Sequence, residues 1–461
     1  MSKALFADTI AAIATAPGRG AVALLRVSGP DALPLARMVA RSLGDAPPPR
    51  VQRLVALRHP ETGEALDRGL VAYFPAPGSY TGEDTVEIAT HGGALTPQLV
   101  LDALLAAGAR PAEPGEFTRR AYLNGKVDLL QAEAIADLID GRSRALHRAA
   151  VHQMERGLSH RVDELRSALI GVDALLAYSI DFPEEDEPPV PPERIRAAAA
   201  AVEERIAALL ATAPEGELLR DGALTVLAGR PNSGKSSLFN ALLGTERAIV
   251  TEIPGTTRDA LEATVSVSGY PFRLVDTAGL RETEDRVEGM GIEVARRYLA
   301  AADLVLFCAE AGRELEEDER GFLAHVDAGR TVLVRTKADR VGLDGWVVRV
   351  DDVGDLATLT LSAATGDGMP ELRELLPRLA FGGILGEPGE APLVTRERHA
   401  RALRAARSEV DAFLDAMDSG VPMEFAATHV RAAIGALEDL IGTVSVDDVL
   451  DRVFGDFCVG K

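Results

Sequence analysis

Residues Gly229 to Ser237 read Gly-Arg-Pro-Asn-Ser-Gly-Lys-Ser-Ser, and few runs of this length restrict a fold so tightly. They fit G-x-x-x-x-G-K-[ST], and both flanks agree. Leu224 to Ala228 has the pattern of a buried strand, and Leu238 to Leu243 that of an apolar helix. Such a loop holds phosphates with backbone N–H groups at a helix N-terminus, while Lys235 adds a point charge and Ser236 a magnesium ligand. A plain glycine turn between strand and helix would satisfy the same pattern, so the downstream sequence has to decide. Asp276-Thr277-Ala278-Gly279 follows a hairpin strand, where a magnesium- and γ-phosphate-sensing loop belongs. Thr336-Lys337-Ala338-Asp339 follows the strand Thr331 to Arg335, and Asp339 can accept two hydrogen bonds from a guanine edge. Ser362, Ala363 and Ala364 end the strand Thr358 to Leu361, where backbone can meet the guanine carbonyl. In this order, each at a strand end, the motifs specify a guanine-nucleotide-binding domain. Asn232, Ser233, Gly234, Lys235, Ser236 and Ser237 lie at its phosphates.

A chain of 461 residues should hold about three domains. Hydrophobic residues make up 47% and aromatics only 4%, so Leu, Val and Ala must fill the cores. No apolar run approaches the ~18–20 residues of a membrane span, so no membrane attachment is expected. Asp8 and the missing basic head argue against a signal peptide. Cys308 and Cys458 cannot build a disulfide framework, and Cys308 belongs to an apolar strand. The chain reads as soluble and cytoplasmic. Its net charge of −22 excludes a generally basic surface, so any contact with RNA has to be local. Arg142, Arg144, Arg148, Arg156 and Arg161 fall in one expected helix, and Arg396, Arg398, Arg401, Arg404 and Arg407 in another. Each set is either a solvated face or an RNA footprint.

The expected architecture is multidomain α/β. Residues 1–121 form an α+β domain, with strands at 9–13 and 21–27 around the turn Pro17 to Gly20 and a helix over 31–42. Paired strands follow at 54–58 and 68–74, then 81–88 and a helix over 96–107. From Tyr122 the spacing turns helical. Leu129, Ala132, Ala136 and Ile139, then Leu165, Leu169, Val172 and Leu176, stripe two long helices. The run Asp181 to Pro189 is a loop, and helix resumes over 192–211. An all-α domain is thus split into halves, 122–216 and 381–461, around an inserted P-loop (Ras-like) GTPase domain at 217–380. The second half carries helices over 395–417 and 422–441, and a last one opened by Ser445, which can cap with Asp448.

Within the nucleotide domain, Thr251 to Arg258 is the loop that must bring a threonine to magnesium, and Thr257 suits that role. Leu280 stands where Ras-like proteins carry a water-orienting glutamine, so that function has to come from elsewhere. The charged run Arg281 to Glu288 offers candidates. Asn232 has two readings: a residue that tolerates a turn, or an amide ligand for a monovalent cation beside the phosphates. Thr336 replaces the usual Asn of N-K-x-D. A hydroxyl there can still bond toward the P-loop, and Asp339 keeps guanine selectivity.

Asp8-Thr-Ile-Ala-Ala12, Pro17 to Gly20, Leu25 to Gly29, Tyr80 to Asp84, His91 to Gly93, Pro114 to Thr118, Gln131 to Ile139, Asp181 to Glu185, Gly229 to Leu280 and Phe457 to Lys461 together resemble the MnmE (TrmE) family of tRNA modification GTPases. The resemblance implies a homodimer that works with an FAD-containing partner protein (MnmG, or GidA) as a heterotetramer. It also implies addition of an aminomethyl or carboxymethylaminomethyl group at C5 of the tRNA wobble uridine. The one-carbon unit would come from 5-formyl- or 5,10-methylene-tetrahydrofolate. By motif position, Arg26, Glu87, Lys126 and Lys461 correspond to folate contacts. Asn232, Thr251, Ile253 and Thr256 correspond to potassium ligands, Ser236 and Thr257 to magnesium ligands, and Glu288 to the water-orienting catalyst beside Lys235. Glu252, Pro254 and Gly255 complete the nucleotide-binding loop. Cys458 lacks a prenylation context and is either a nucleophile near Lys461 or a buried helix-end thiol. The competing function is a GTP-switched assembly factor for RNA or ribosomes, without carbon chemistry.

Overall fold

The computed structural model describes residues 7–141, 143–181, 190–244, 261–276, 297–341, 356–382, 394–442, 453–455 and 457–460. The chain divides into two compact units, Met1–Ala136 with Leu437–Lys461, and Asp137–Ala436.

In the first unit, β1 (Ile10–Ile13), β2 (Val22–Ser28), β3 (Arg53–Arg58), β4 (Ala65–Phe74), β5 (Thr85–His91) and β6 (Arg110–Pro111) form one sheet in the order β3-β4-β5-β2-β1-β6. Strand side chains alternate between faces. Leu25, Val27, Val71, Val86 and Ile88 therefore bury together against α1 (Ala32–Val39) and α2 (Thr96–Ala106). Arg26, Ala72 and Glu87 belong to the other face. β6 was not foreseen, because two residues paired in parallel with β1 carry no periodicity.

Helices α3 (Glu116–Leu123) and α4 (Leu129–Asp140) follow. The C-terminal segment returns to this unit: Phe454 and Phe457 cluster with Leu129, Ala132 and Ile135. Gly115 makes that return possible. Its φ is +67°, and a Cβ there would come within 2.4 Å of the Phe454 carbonyl. Arg120, fully buried, anchors α3 by bonding Asp8 Oδ1 at 2.8 Å, Glu116 Oε1 at 3.0 Å and Glu83 Oε2 at 3.2 Å.

The second unit contains α5 (Arg144–Met154), α6 (Gly157–Asp181), α7 (Pro192–Leu210) and α8 (Ala213–Asp221). The stripe expected to run over two long helices between 129 and 181 is divided into three. One break separates Asp140 from Arg144; the other falls at Arg156, with φ +67°, before Gly157, where a Cβ would strike the His152 ring at 2.3 Å. α8 was also unforeseen, since Pro214-Glu-Gly216 reads as a stop. Pro214 instead occupies the first turn, where its missing N–H costs nothing, and Gly216 presses on the Val394 carbonyl, 1.9 Å from a built Cβ.

The second sheet has the order β12-β11-β10-β7-β9-β8. Its strands are β7 (Ala223–Ala228), β8 (Leu261–Val267), β9 (Tyr270–Asp276), β10 (Leu304–Glu310), β11 (Thr331–Thr336) and β12 (Ala357–Thr360). β8 is antiparallel to β9 and every other pairing is parallel. α9 (Lys235–Leu243), α10 (Glu317–Leu323) and α11 (Met369–Ala380) belong to this layer. All residues of β7 are buried, as a central parallel strand requires. Cys308 lies in this core, and burial pushes its thiol up to about 12. Two longer helices follow, α12 (Glu397–Asp418) and α13 (Met423–Ile441), and the unit's sequence ends at Ala436 within α13. The helix expected from Ser445 with Asp448 lies outside the described residues. No described helix is long and apolar enough to cross a membrane.

Candidate functional site

β7, β9, β10 and β11 are parallel and end at Ala228, Asp276, Glu310 and Thr336, which places their following loops on one edge, where α/β sheets bind ligands. The loop after β7 is shaped by close approach. Gly229 has φ +134°, and a Cβ would meet the Cys308 carbonyl at 2.3 Å. Asn232 takes φ +64°, which asparagine tolerates better than most residues. Gly234 caps α9 without a side chain, so the first amides of that helix face whatever the loop encloses. Lys235, 5% exposed, donates from Nζ to the carbonyls of Gly229 and Arg230 at 2.9 and 2.8 Å. A buried ammonium over a helix N-terminus is a fit for the phosphates of a nucleotide.

Ser236 Oγ donates to Asp276 Oδ2 at 2.8 Å. This pair joins the helix after the P-loop to the end of β9, as a magnesium site needs. Among the described residues no group of three His, Cys, Asp or Glu gathers. A hard cation here would rest on Ser236, Asp276 through water, and phosphate oxygens.

The guanine side is built by three loops that brace one another. Thr336 Oγ1 donates to the Ser233 carbonyl at 2.6 Å, tying the base loop to the P-loop. Lys337 sits at φ +58° with Nζ 3.4 Å from Glu310 Oε1. Ala338 N–H bonds the Leu361 carbonyl, and Ser362 Oγ donates to Asp339 Oδ1 at 2.6 Å. The carboxylate thus has one oxygen fixed by a fully buried serine. The Ser362 hydroxyl was missed in the sequence, where only its backbone had a role. Beside the P-loop, a cleft of about 380 Å³ is lined by Arg230, Asn232, Ser233, Glu310, Arg313 and Glu316. Arg230 pairs with Glu316 across it. Ser237 stands in the first turn of α9, and Ala363 and Ala364 follow Ser362. Thr251, Glu252, Ile253, Pro254, Gly255, Thr256, Thr257, Thr277, Ala278, Gly279 and Glu288 lie outside the described residues.

A second constellation lies in the first unit. Arg26 on β2 and Glu87 on β5 are direct cross-strand partners. Arg26 Nη2 and Nε donate to Glu87 Oε1 at 2.8 and 3.1 Å. The guanidinium carbon lies 5.1 Å from the Tyr80 ring centre and 5.7 Å from that of Phe117. Lys126 Nζ donates to the Pro77 carbonyl at 2.9 Å, and its stem flanks Gly82. The 77–82 loop is therefore shared by Arg26 and Lys126. A hollow of about 410 Å³ in the open sheet face includes Glu87, Leu24, Leu70, Phe74 and Arg50. The C-terminal segment reaches the same unit. Val459 bridges Pro114, Gly460 packs on the Ile13 carbonyl, and Phe457 packs in the cluster that Tyr80 joins. Cys458 is exposed there, which removes the reading of a buried thiol. Lys461 lies outside the described residues.

Fold and site together define a P-loop protein of the guanine-nucleotide class. Comparisons with known proteins carry this further. The family profile "MnmE helical domain" matches residues 129–458, and "GTP-binding protein TrmE N-terminus" matches 9–126. A tRNA modification GTPase MnmE of Heliobacterium modesticaldum is 41% identical over 98% of this chain and 99% of its own. That of Geobacter sulfurreducens is 42% identical with the same coverage. Among solved structures, the G domain of the T. maritima FeoB iron transporter is 29% identical, covering 34% of this chain and 98% of its own, with a TM-score of 0.27. The chain belongs to the MnmE family of tRNA modification GTPases.

Proposed function

We propose that this chain hydrolyses GTP to drive addition of an aminomethyl or carboxymethylaminomethyl group at C5 of the wobble uridine of certain tRNAs. It would act as a homodimer, in a heterotetramer with an FAD-dependent partner (MnmG, or GidA), and in the cytoplasm. The supporting observation is that one chain holds both a braced guanine-nucleotide site and, in its first unit, a hollow lined by Glu87, whose carboxylate is paired with Arg26, on a unit that the Cys458 segment also joins. A simple GTP switch needs only the first.

In hydrolysis, water attacks the γ-phosphorus and negative charge builds on the phosphate oxygens. Lys235 Nζ, which here rests on the Gly229 and Arg230 carbonyls, and the first turn of α9 would stabilise that charge. Ser236 and Asp276 would hold magnesium, which neutralises the β- and γ-oxygens. Asp339, steadied by Ser362, would accept the two N–H groups of guanine, which adenine cannot offer. Glu288 is assigned to orient the water. Asn232, Thr251, Ile253 and Thr256 are assigned to a potassium ion that supplies positive charge between the phosphates, and Thr257 to the magnesium. In the first unit, Glu87 and Arg26 offer an acceptor and a cation to a flat, polar-edged ring, with aromatic faces alongside. That set suits a tetrahydrofolate derivative, with Lys126 and Lys461 for its carboxylates. Cys458 is assigned the nucleophile's role on the uridine.

Mass analysis of tRNA nucleosides tests this in cells lacking their own copy of the protein. The wild-type chain should restore modified wobble uridines, and Cys458→Ser should leave them unmodified. Full modification with the serine variant would reject the thiol's role. No restoration by the wild-type chain would reject the reading and favour the assembly factor.

A further inference from the structure

The structure accounts for most of the arginines that crowd two stretches of the sequence. Arg156 pairs with Asp163 at 3.1 Å and Arg161 with Glu164 at 3.7 Å. On α12, Arg401 and Arg404 reach Glu397 at 3.8 and 3.1 Å, and Arg407 reaches Glu203 at 2.7 Å. Arg396 is held by the buried Asp137. These guanidinium groups already have carboxylate partners, which removes much of their pull on an outside anion. Arg142 lies outside the described residues.

Arg144 and Arg148 are different. They sit one turn apart on α5 with His147 between them, and all three are exposed. Among the described residues neither arginine pairs with a carboxylate. Spacing of i, i+3 and i+4 places the three on one helix face, with Cβ atoms about 5–6 Å apart. In a chain of net charge −22, this is a local patch of positive potential.

The patch is also held rigidly. Ala145, Leu146, Ala149, Ala150 and Gln153 bury the opposite face of α5. Ser143 Oγ caps the helix through the Leu146 amide at 3.1 Å. The Ala145 amide donates to the Gly269 carbonyl at 3.0 Å, seating the first turn on the β8–β9 turn of the nucleotide domain. The positive end of the helix dipole adds to Arg144.

We propose that the Arg144–His147–Arg148 face of α5 is a docking surface for the phosphate backbone of RNA, an inference that rests on the reading that this chain acts on tRNA. Two guanidinium groups a turn apart reach neighbouring phosphates of one strand. Such contacts fix position and carry no base sequence. Because α5 is bonded to the turn between β8 and β9, which opens β9, the docked strand lies at the end of that strand opposite Asp276 and the nucleotide loops.

Binding of a tRNA transcript by the full chain, followed by fluorescence anisotropy over a range of salt, tests the proposal. Arg144→Gln with Arg148→Gln should weaken binding about tenfold near 150 mM salt and flatten log K against log salt by about 1.5, near 0.7–0.9 per lost phosphate contact. The loss should be the same for different tRNA sequences, and Arg144→Lys with Arg148→Lys should retain affinity and slope. Arg148→Glu alone should weaken binding while GTP affinity and melting temperature stay at wild-type values, which separates docking from misfolding. If the double glutamine variant binds with unchanged affinity and slope, the α5 surface is overturned and the tRNA reading stands. If the wild-type chain shows no salt-dependent tRNA binding, both fall. Loss of an acidic protein partner with tRNA binding intact would make the face a protein interface and overturn the proposal.

Discussion

The bond from Ser362 to Asp339 shows how much of a specificity site a sequence leaves unsaid. Asp339 is readable from its type and its place after β11. The hydroxyl that fixes its carboxylate comes from a loop 23 residues away and is brought close only by the pairing of β11 with β12. A hydrogen bond to a charged group contributes about 1.5–3 kcal/mol. Ser362→Ala should therefore weaken GTP binding about tenfold and narrow its margin over ATP, as titration calorimetry would show. Unchanged affinity and selectivity would mean that Asp339 is held by its own turn alone. Thr336 was more legible, since a hydroxyl at that place was expected to bond toward the P-loop. Its hydroxyl does donate to the P-loop, and the structure adds only which acceptor it meets, the Ser233 carbonyl.

At the scale of elements, α3 is held by charge through Arg120 and Glu116. Burial pushes the Glu116 carboxyl up, but the Arg110 hydrogen bonds, the Glu113 amide and Arg120 outweigh it and hold the group below its usual range. Asp8 is treated likewise, with burial opposed by Arg110 and Arg120. A depressed folded-state value contributes stability above the unfolded pKa of about 4 and loses it as pH falls through the folded value. The first unit should therefore weaken in acid, with protection of α3 amides against hydrogen exchange dropping below about pH 4. Arg120→Met should lower that protection already at neutral pH, by about 3–5 kcal/mol, because it strands buried carboxylates. Equal exchange in variant and wild type would show that α3 is held by its apolar contacts. The sequence offers Arg120 no such prominence, since only burial makes a charge consequential. The helix breaks tell the same story. Hydrophobic spacing gave the stripes of α4 and α6, but not the turn where Arg156 takes φ +67° and Gly157 lies against the His152 ring.

For the whole molecule, the strongest expectation concerns turnover. If Asn232 shares a potassium ion with Thr251, Ile253 and Thr256, exchanging potassium for sodium should cut GTP hydrolysis by about tenfold or more with nucleotide affinity retained. Glu288→Ala should likewise lower turnover without loss of binding. Equal rates in both salts would leave Asn232 as a turn residue, a role its positive φ already suits.

The order of motifs along the chain was enough to specify a guanine-nucleotide domain, a helical region on either side of it and an α+β beginning. Each of those signals is short-range: a loop wraps phosphates with amides a few residues apart, and a stripe repeats every turn. Tertiary structure alone decided which distant groups meet. Arg26 finds Glu87 across 61 positions and Arg396 finds Asp137 across 259. The segment ending in Cys458 finds its place beside Pro114 and Ile13. Those pairings depend on how sheets and helices bury apolar area, and burial is a property of the folded whole.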